Sequence, residues 1–169
     1  MWKLHLGTGG LAGLLLTASL SGLMYLADHL AGLPFVPFDL FDWITRVLPG
    51  PVITFGIDLM IDSMRLIGLS VADSAKTAEQ IAAISQFLAV GIVGGAAFFA
   101  VMKARDTTPD LVSGLVVGAM FGLPMLAISI AIGGSTVNSA LVALWLAVVF
   151  LVWGSALNLA YLRLVPVKR

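Results

Sequence analysis

The chain has 169 residues, 60% of them hydrophobic and 11% charged, with nine basic residues, nine acidic residues and no cysteine. A mean hydropathy of +1.07 leaves too little polar surface for a water-soluble domain of this size and points to an integral membrane protein. The missing cysteine excludes disulfides, thiolate metal sites, iron–sulfur clusters and cysteine nucleophiles, and a net charge of zero gives no electrostatic footprint for nucleic acid.

Four apolar segments, 8–33, 81–102, 111–133 and 137–161, are each long enough to cross a hydrocarbon core of about 30 Å at about 1.5 Å per residue. The expected fold is an all-α bundle of four transmembrane helices forming a single membrane domain over 1–169. The first segment begins like a signal peptide, with Lys3 ahead of an apolar run. Its apolar character continues to Leu33 without a clear small-x-small cleavage site, so it reads as a retained span.

The stretch between the first and second segments is different. Over 38–48, Asp39, Asp42 and Arg46 fall on one helical face, and Phe41, Ile44 and Leu48 on the other. Pro34 and Pro37 precede this stretch and Pro49-Gly50-Pro51 ends it. Phe35, Phe38, Phe41 and Trp43 are aromatic types expected at headgroup level. A second helix is predicted over 52–69, where Asp58, Asp62 and Arg65 form one stripe and Ile57, Met60, Ile61, Met64 and Ile67 fall away from it. Its composition allows two readings. One is a helix lying in the outer membrane interface; the other is a fifth span, which would bury three charges at about 2.5–3.5 kcal/mol each. Thr77 and Gln80 have capping-box spacing for the start of the second span.

Basic residues orient the chain. Lys103 and Arg105 lie in the link between the second and third spans, and Arg163, Lys168 and Arg169 follow the fourth. The positive-inside rule places both ends on the cytoplasmic side of the membrane. The cytoplasmic side then carries six basic and two acidic residues, against three basic and seven acidic outside, so the outer face is an acidic cap.

Inside the spans, Gly91 and Gly95, and Gly114, Gly118 and Gly122, recur every fourth residue, the spacing of close helix contact. Pro124 predicts a kink in the third span. Ser19, Ser21, Ser155 and Asn158 read as polar glue between helices. The span interiors carry no ionisable residue, which argues against a small transporter. His5 and His29 are the only imidazoles and lie about 36 Å apart on one continuous helix, too far to clamp a haem between them. His29, beside Asp28 at the outer end of the first span, is the one candidate ligand for a pigment or quinone; its simpler reading is an interface residue. With no phosphate loop, zinc-type histidine pair or catalytic-serine motif, neither enzyme activity nor a bound cofactor or metal is expected.

The stretch from Gly32 to Asp58, Gly-Leu-Pro-Phe-Val-Pro-Phe-Asp-Leu-Phe-Asp-Trp-Ile-Thr-Arg-Val-Leu-Pro-Gly-Pro-Val-Ile-Thr-Phe-Gly-Ile-Asp, and Ala-Lys-Thr-Ala-Glu-Gln from Ala75 to Gln80, resemble the N-terminal membrane region of bacterial membrane-anchored molybdopterin-dependent oxidoreductases of the sulfite-oxidase type. The resemblance extends through all four spans. It implies an anchor for an extracytoplasmic redox enzyme. The family's catalytic domain, and the cysteine that ligates its molybdenum, have no counterpart here, so no catalytic residue carries over.

The function expected is a non-catalytic anchor or scaffold docking a redox partner or electron-transfer complex, with Asp39, Asp42, Trp43, Arg46, Asp58, Asp62 and Arg65 as the docking surface. The alternative is an accessory subunit of a photosynthetic or respiratory complex, near a quinone or pigment.

Overall fold

In a computed structural model, residues 2–66, 71–105, 109–132 and 137–165 are described. They form six helices: α1 (Trp2–Ala31), α2 (Val36–Val47), α3 (Gly50–Leu66), α4 (Val71–Arg105), α5 (Leu111–Ile132) and α6 (Ser139–Leu164). Among the described residues there is no strand. Four helices, α1, α4, α5 and α6, are long and apolar enough to cross a membrane. α3 is not one of them; its 17 residues span about 26 Å, less than the hydrocarbon core.

Local chemistry sets most boundaries. α1 stops where Gly32 takes a φ of 65° and returns its N–H to the Asp28 carbonyl at 2.9 Å, a conformation that costs glycine little. Pro37 enters the first turn of α2, where a missing N–H is harmless. Leu48 is extended, as the residue before Pro49 should be, and the Pro49 carbonyl accepts the Val52 and Ile53 N–H groups at the start of α3. Asp110 begins α5 by accepting both the N–H and the hydroxyl of Ser113, at 2.9 and 2.8 Å. These two bonds hold its carboxyl below the ordinary carboxylate range. Asn138 caps α6 through the Ala140 N–H at 2.8 Å.

Two boundaries differ from expectation. α1 begins near Trp2 rather than at residue 8, because nothing in 2–7 breaks a helix. α4 begins at Val71, so Thr77 and Gln80 lie inside it and cap nothing. Ala72, Ala75 and Ala78 are strong helix formers, and continuing the helix is cheaper than starting it anew at Thr77. The helix expected over 52–69 is described to Leu66; 67–69 lie outside the described residues. α5 remains one helix through Pro124, whose ring sits on an exposed face.

The long helices associate as two antiparallel pairs. On α1, Gly9 and Gly13 meet Gly91 and Gly95 of α4; a Cβ on Gly9 would stand 2.7 Å from the Gly95 carbonyl oxygen. On α5, Gly114, Gly118 and Gly122 meet Phe150, Gly154 and Asn158 of α6; a Cβ on Gly118 would stand 2.5 Å from the Phe150 carbonyl oxygen. In lipid, apolar side chains gain nothing by leaving one hydrocarbon for another. Close backbone approach and dispersion therefore drive these pairings.

The pairs meet at Thr17, which is fully buried. Trp153 of α6 donates its indole N–H to the Thr17 hydroxyl at 3.1 Å. Gly91 leaves the room, since any Cβ there would collide with the Thr17 side chain. Around this bond Phe87 stacks on Phe121 at 5.8 Å, and Phe121 packs against Trp153 at 4.7 Å and Phe150 at 5.3 Å. α2 packs on both α4 and α5, with Val36 and Leu40 buried. Of the polar residues expected to join helices, only Asn158 does so, donating to the Asp110 carbonyl at 3.0 Å. Ser19, Ser21 and Ser155 return their hydroxyls to carbonyls of their own helices, the ordinary fate of serine in a membrane helix.

Replacing Thr17 with valine keeps the shape and removes the acceptor. The expected loss is about 0.6–2 kcal/mol of stability in detergent. Adding Trp153→Phe to Thr17→Val should cost less than the sum of the two single changes. Additive losses in this double-mutant cycle would show that the bond does not join the pairs.

Candidate functional site

The charged residues of α2 and α3 lie at the end of the bundle opposite the one that carries Lys103, Arg105, Asp110 and Arg163. α2 forms its floor. The helical wheel puts Asp39 beside Asp42 and Arg46, but Asp39 turns toward the bundle. Its carboxylate is half-buried and accepts the Ser129 hydroxyl of α5 at 2.6 Å. Asp39 thus helps to seat α2 while still lining the crevice beside Asp42. Val36, Pro37 and Leu40 are buried in that seat, and Asp39 lies at its edge, about 60° from Val36 at 100° per residue.

Asp42 and Arg46 stay toward solvent, joined one turn apart by two bonds of 3.2 and 2.6 Å, and Trp43 is exposed beside them. Such a pair contributes little to stability. It fixes a small polar patch of both signs.

A crevice of about 230 Å³ lies between α2, α4 and the end of α5. Asp39, Asp42 and Thr45 line one side, and Lys76 and Glu79, paired at 3.6 Å, line the other. Burial raises the pKa of Asp39 above its ordinary 3.8. The Ser129 bond opposes that shift, and the negative charges of Asp42 and Asp28 add to it.

On α3, Asp58 and Asp62 are exposed, and so are Val52, Phe55 and Leu59. At 100° per residue Phe55 and Leu59 interleave with Asp58 and Asp62, so the outward face is apolar and acidic together. Ile53 and Ile61 are half-buried on the opposite side. Arg65 lies on the backbone of α3, but its side chain is outside the described residues, as are those of Ile57, Met60 and Met64.

His29 is exposed in the last turn of α1, with its ring 5.0 Å from that of Tyr25. Tyr25 meets Phe35 at 5.9 Å, and Phe35 meets Phe38 at 4.7 Å, an aromatic ladder leading from α1 into α2. Among the described residues no three His, Asp or Glu side chains are grouped to hold a metal ion. Gly91, Gly95, Gly114, Gly118 and Gly122 all face helices of the same chain. Their partners Gly9, Gly13 and Gly154 are the contact residues that the sequence reading missed; the four-residue interval from Gly9 to Gly13 was the available signal.

Comparison with protein-family models, curated proteins and solved structures finds no match for this chain.

The raised pKa of Asp39 has a defined sign. Above pH 3.8 the native state holds this proton longer than the unfolded chain does, so the contribution of Asp39 to stability is full below 3.8 and falls as pH rises through the native value. Asp39→Asn removes the titration and keeps a partner for Ser129. Thermal unfolding in detergent across a pH series should show wild type losing ground to the variant between pH 3.8 and neutrality. Parallel curves would show that the site does not strain the carboxylate.

Proposed function

We propose that this chain is a non-catalytic membrane anchor or scaffold whose acidic end docks an extracytoplasmic redox enzyme or electron-transfer complex. The observation that carries the reading is α3. The four long helices use their glycine and aromatic faces on one another, whereas α3 keeps Val52, Phe55 and Leu59 exposed next to Asp58 and Asp62. Apolar side chains next to charged ones are what a partner needs for adhesion and for steering. The redox character of the partner rests on the resemblance of 32–58 and 75–80 to the membrane region of molybdopterin-dependent oxidoreductases. In this reading α2 and α3 lie at the outer interface of a bacterial inner membrane, held there by Trp43 and the phenylalanines around Pro34 and Pro37. Both termini are cytoplasmic.

A second reading, an accessory subunit near a quinone or pigment, draws support from an apolar groove of about 450 Å³. It lies between the end of α1 and α6 and is lined by Leu33, Leu141, Leu144 and Trp145. An absorption spectrum and mass spectrometry of the mildly purified complex separate the two readings: a redox protein for the first, a bound chromophore or quinone for the second.

Orientation is directly testable because the chain has no native cysteine. Thr54→Cys should react with an impermeant maleimide from outside the cell and Ala104→Cys should not. The reverse pattern would invert the topology and remove the acidic end from the outer face.

Docking is tested by charge reversal on α3. Asp58→Lys with Asp62→Lys should lower partner retention about tenfold at low salt, with a smaller deficit at high salt where the charges are screened. Unchanged retention at every salt concentration would clear α3 of a docking role.

A further inference from the structure

The membrane-facing surface of the α5–α6 pair is not uniform. Most of it is studded with large exposed side chains such as Leu123, Leu141 and Leu144. Toward the basic end it opens into a groove of about 680 Å³. Small residues of α6, Ser155, Ala156 and Ala160, form the recess, with Leu115 of α5 and Leu151 of α6 beside it. Its lining is almost wholly apolar. The one hydroxyl on it, that of Ser155, is already donated to the Leu151 carbonyl at 2.8 Å, so the groove offers a ligand no free hydroxyl donor. Arg163 closes one end; it is exposed and, among the described residues, has no ion-pair partner.

From Leu151 to Arg163 is about 18 Å of helix, close to the thickness of one leaflet's hydrocarbon, about 15 Å. A chain lying in the groove would run from near the bilayer midplane to the headgroup level and meet the guanidinium there. We propose that this groove is a binding site for one anionic phospholipid. An acyl chain lies over Ala156 and Ala160, and the positive charge of Arg163 pairs with the net negative charge of the headgroup. The proposal is independent of the docking reading, since it concerns the opposite end of the bundle and the lipid rather than a protein.

Arginines near helix ends also reach for the interface without binding any particular lipid. The test must therefore read headgroup preference rather than lipid contact. The full chain in mild detergent is incubated with equal amounts of phosphatidylglycerol and phosphatidylcholine of matched acyl chains, and retained lipid is counted by native mass spectrometry. Wild type should keep one phosphatidylglycerol with about fivefold preference over phosphatidylcholine, the scale expected of one basic residue at a membrane surface. Arg163→Gln should bring the preference to about one, and Arg163→Lys should keep most of it. Lys103→Gln with Arg105→Gln, at the same end but off the groove, should leave it unchanged. Ala156→Phe should reduce retention of both lipids. Ala160→Leu serves the same purpose if Ala156→Phe lacks the wild-type helix content by circular dichroism. Equal retention of the two lipids by wild type, a preference that survives Arg163→Gln, a preference lost with Lys103 and Arg105 instead, or a dimer without lipid in the groove would each overturn the proposal.

Discussion

The two helix pairs of this bundle are joined through one buried bond made possible by an absence. Thr17 can turn its hydroxyl to the Trp153 indole only because Gly91, on the helix behind it, has no side chain. The bond ties α1 to α6 and so ties one helix pair to the other. In water, two such pairs would be pressed together by their apolar faces; in lipid that pressure is missing, and polar contact and tight fit must take its place. The aromatic cluster of Phe87, Phe121, Phe150 and Trp153 fills the space around the bond, and α2 wedges between the pairs at one end.

The two ends of the molecule then diverge in chemistry. At the end with Arg163, Tyr161 packs edge-on to Phe99 at 5.0 Å and Phe98 at 6.1 Å, sealing the core close to the basic residues. At the other end the core opens into a crevice with carboxylates, a lysine and a glutamate on its walls. A half-buried carboxylate there is held by a single serine hydroxyl, and α3 beyond it keeps both apolar and acidic groups exposed. Aromatic packing closes the first end, and the second keeps polar and apolar groups exposed side by side.

The long helices were legible in the sequence because hydropathy over some twenty residues is a strong, additive signal. The glycine ridges of α4 and α5 were legible because their four-residue interval is periodic. Thr17 was not, since a lone threonine among apolar residues carries no period, and its role arises only when Gly91 and Trp153 come from elsewhere to meet it. The Thr77–Gln80 capping signal misled because the alanines before it extend the helix more cheaply than a cap begins one. The bond of Asp39 to Ser129 was illegible for a related reason: a helical wheel assigns faces from one helix alone, and that partner comes from α5.

The connection between α1 and α4 has a consequence for the order in which the fold assembles. α5 and α6 follow each other closely, so their glycine faces can meet as soon as both have entered the membrane. α1 has no such neighbour, because its partner comes only after the two short helices. At about 5–20 residues per second, the forty or so residues from the end of α1 to the start of α4 take roughly 2–8 s to synthesise. During that interval Gly9 and Gly13 lie in lipid without the helix they are shaped to receive. A chaperone or a neighbouring helix with a small-residue face would find α1 most open to capture in that time.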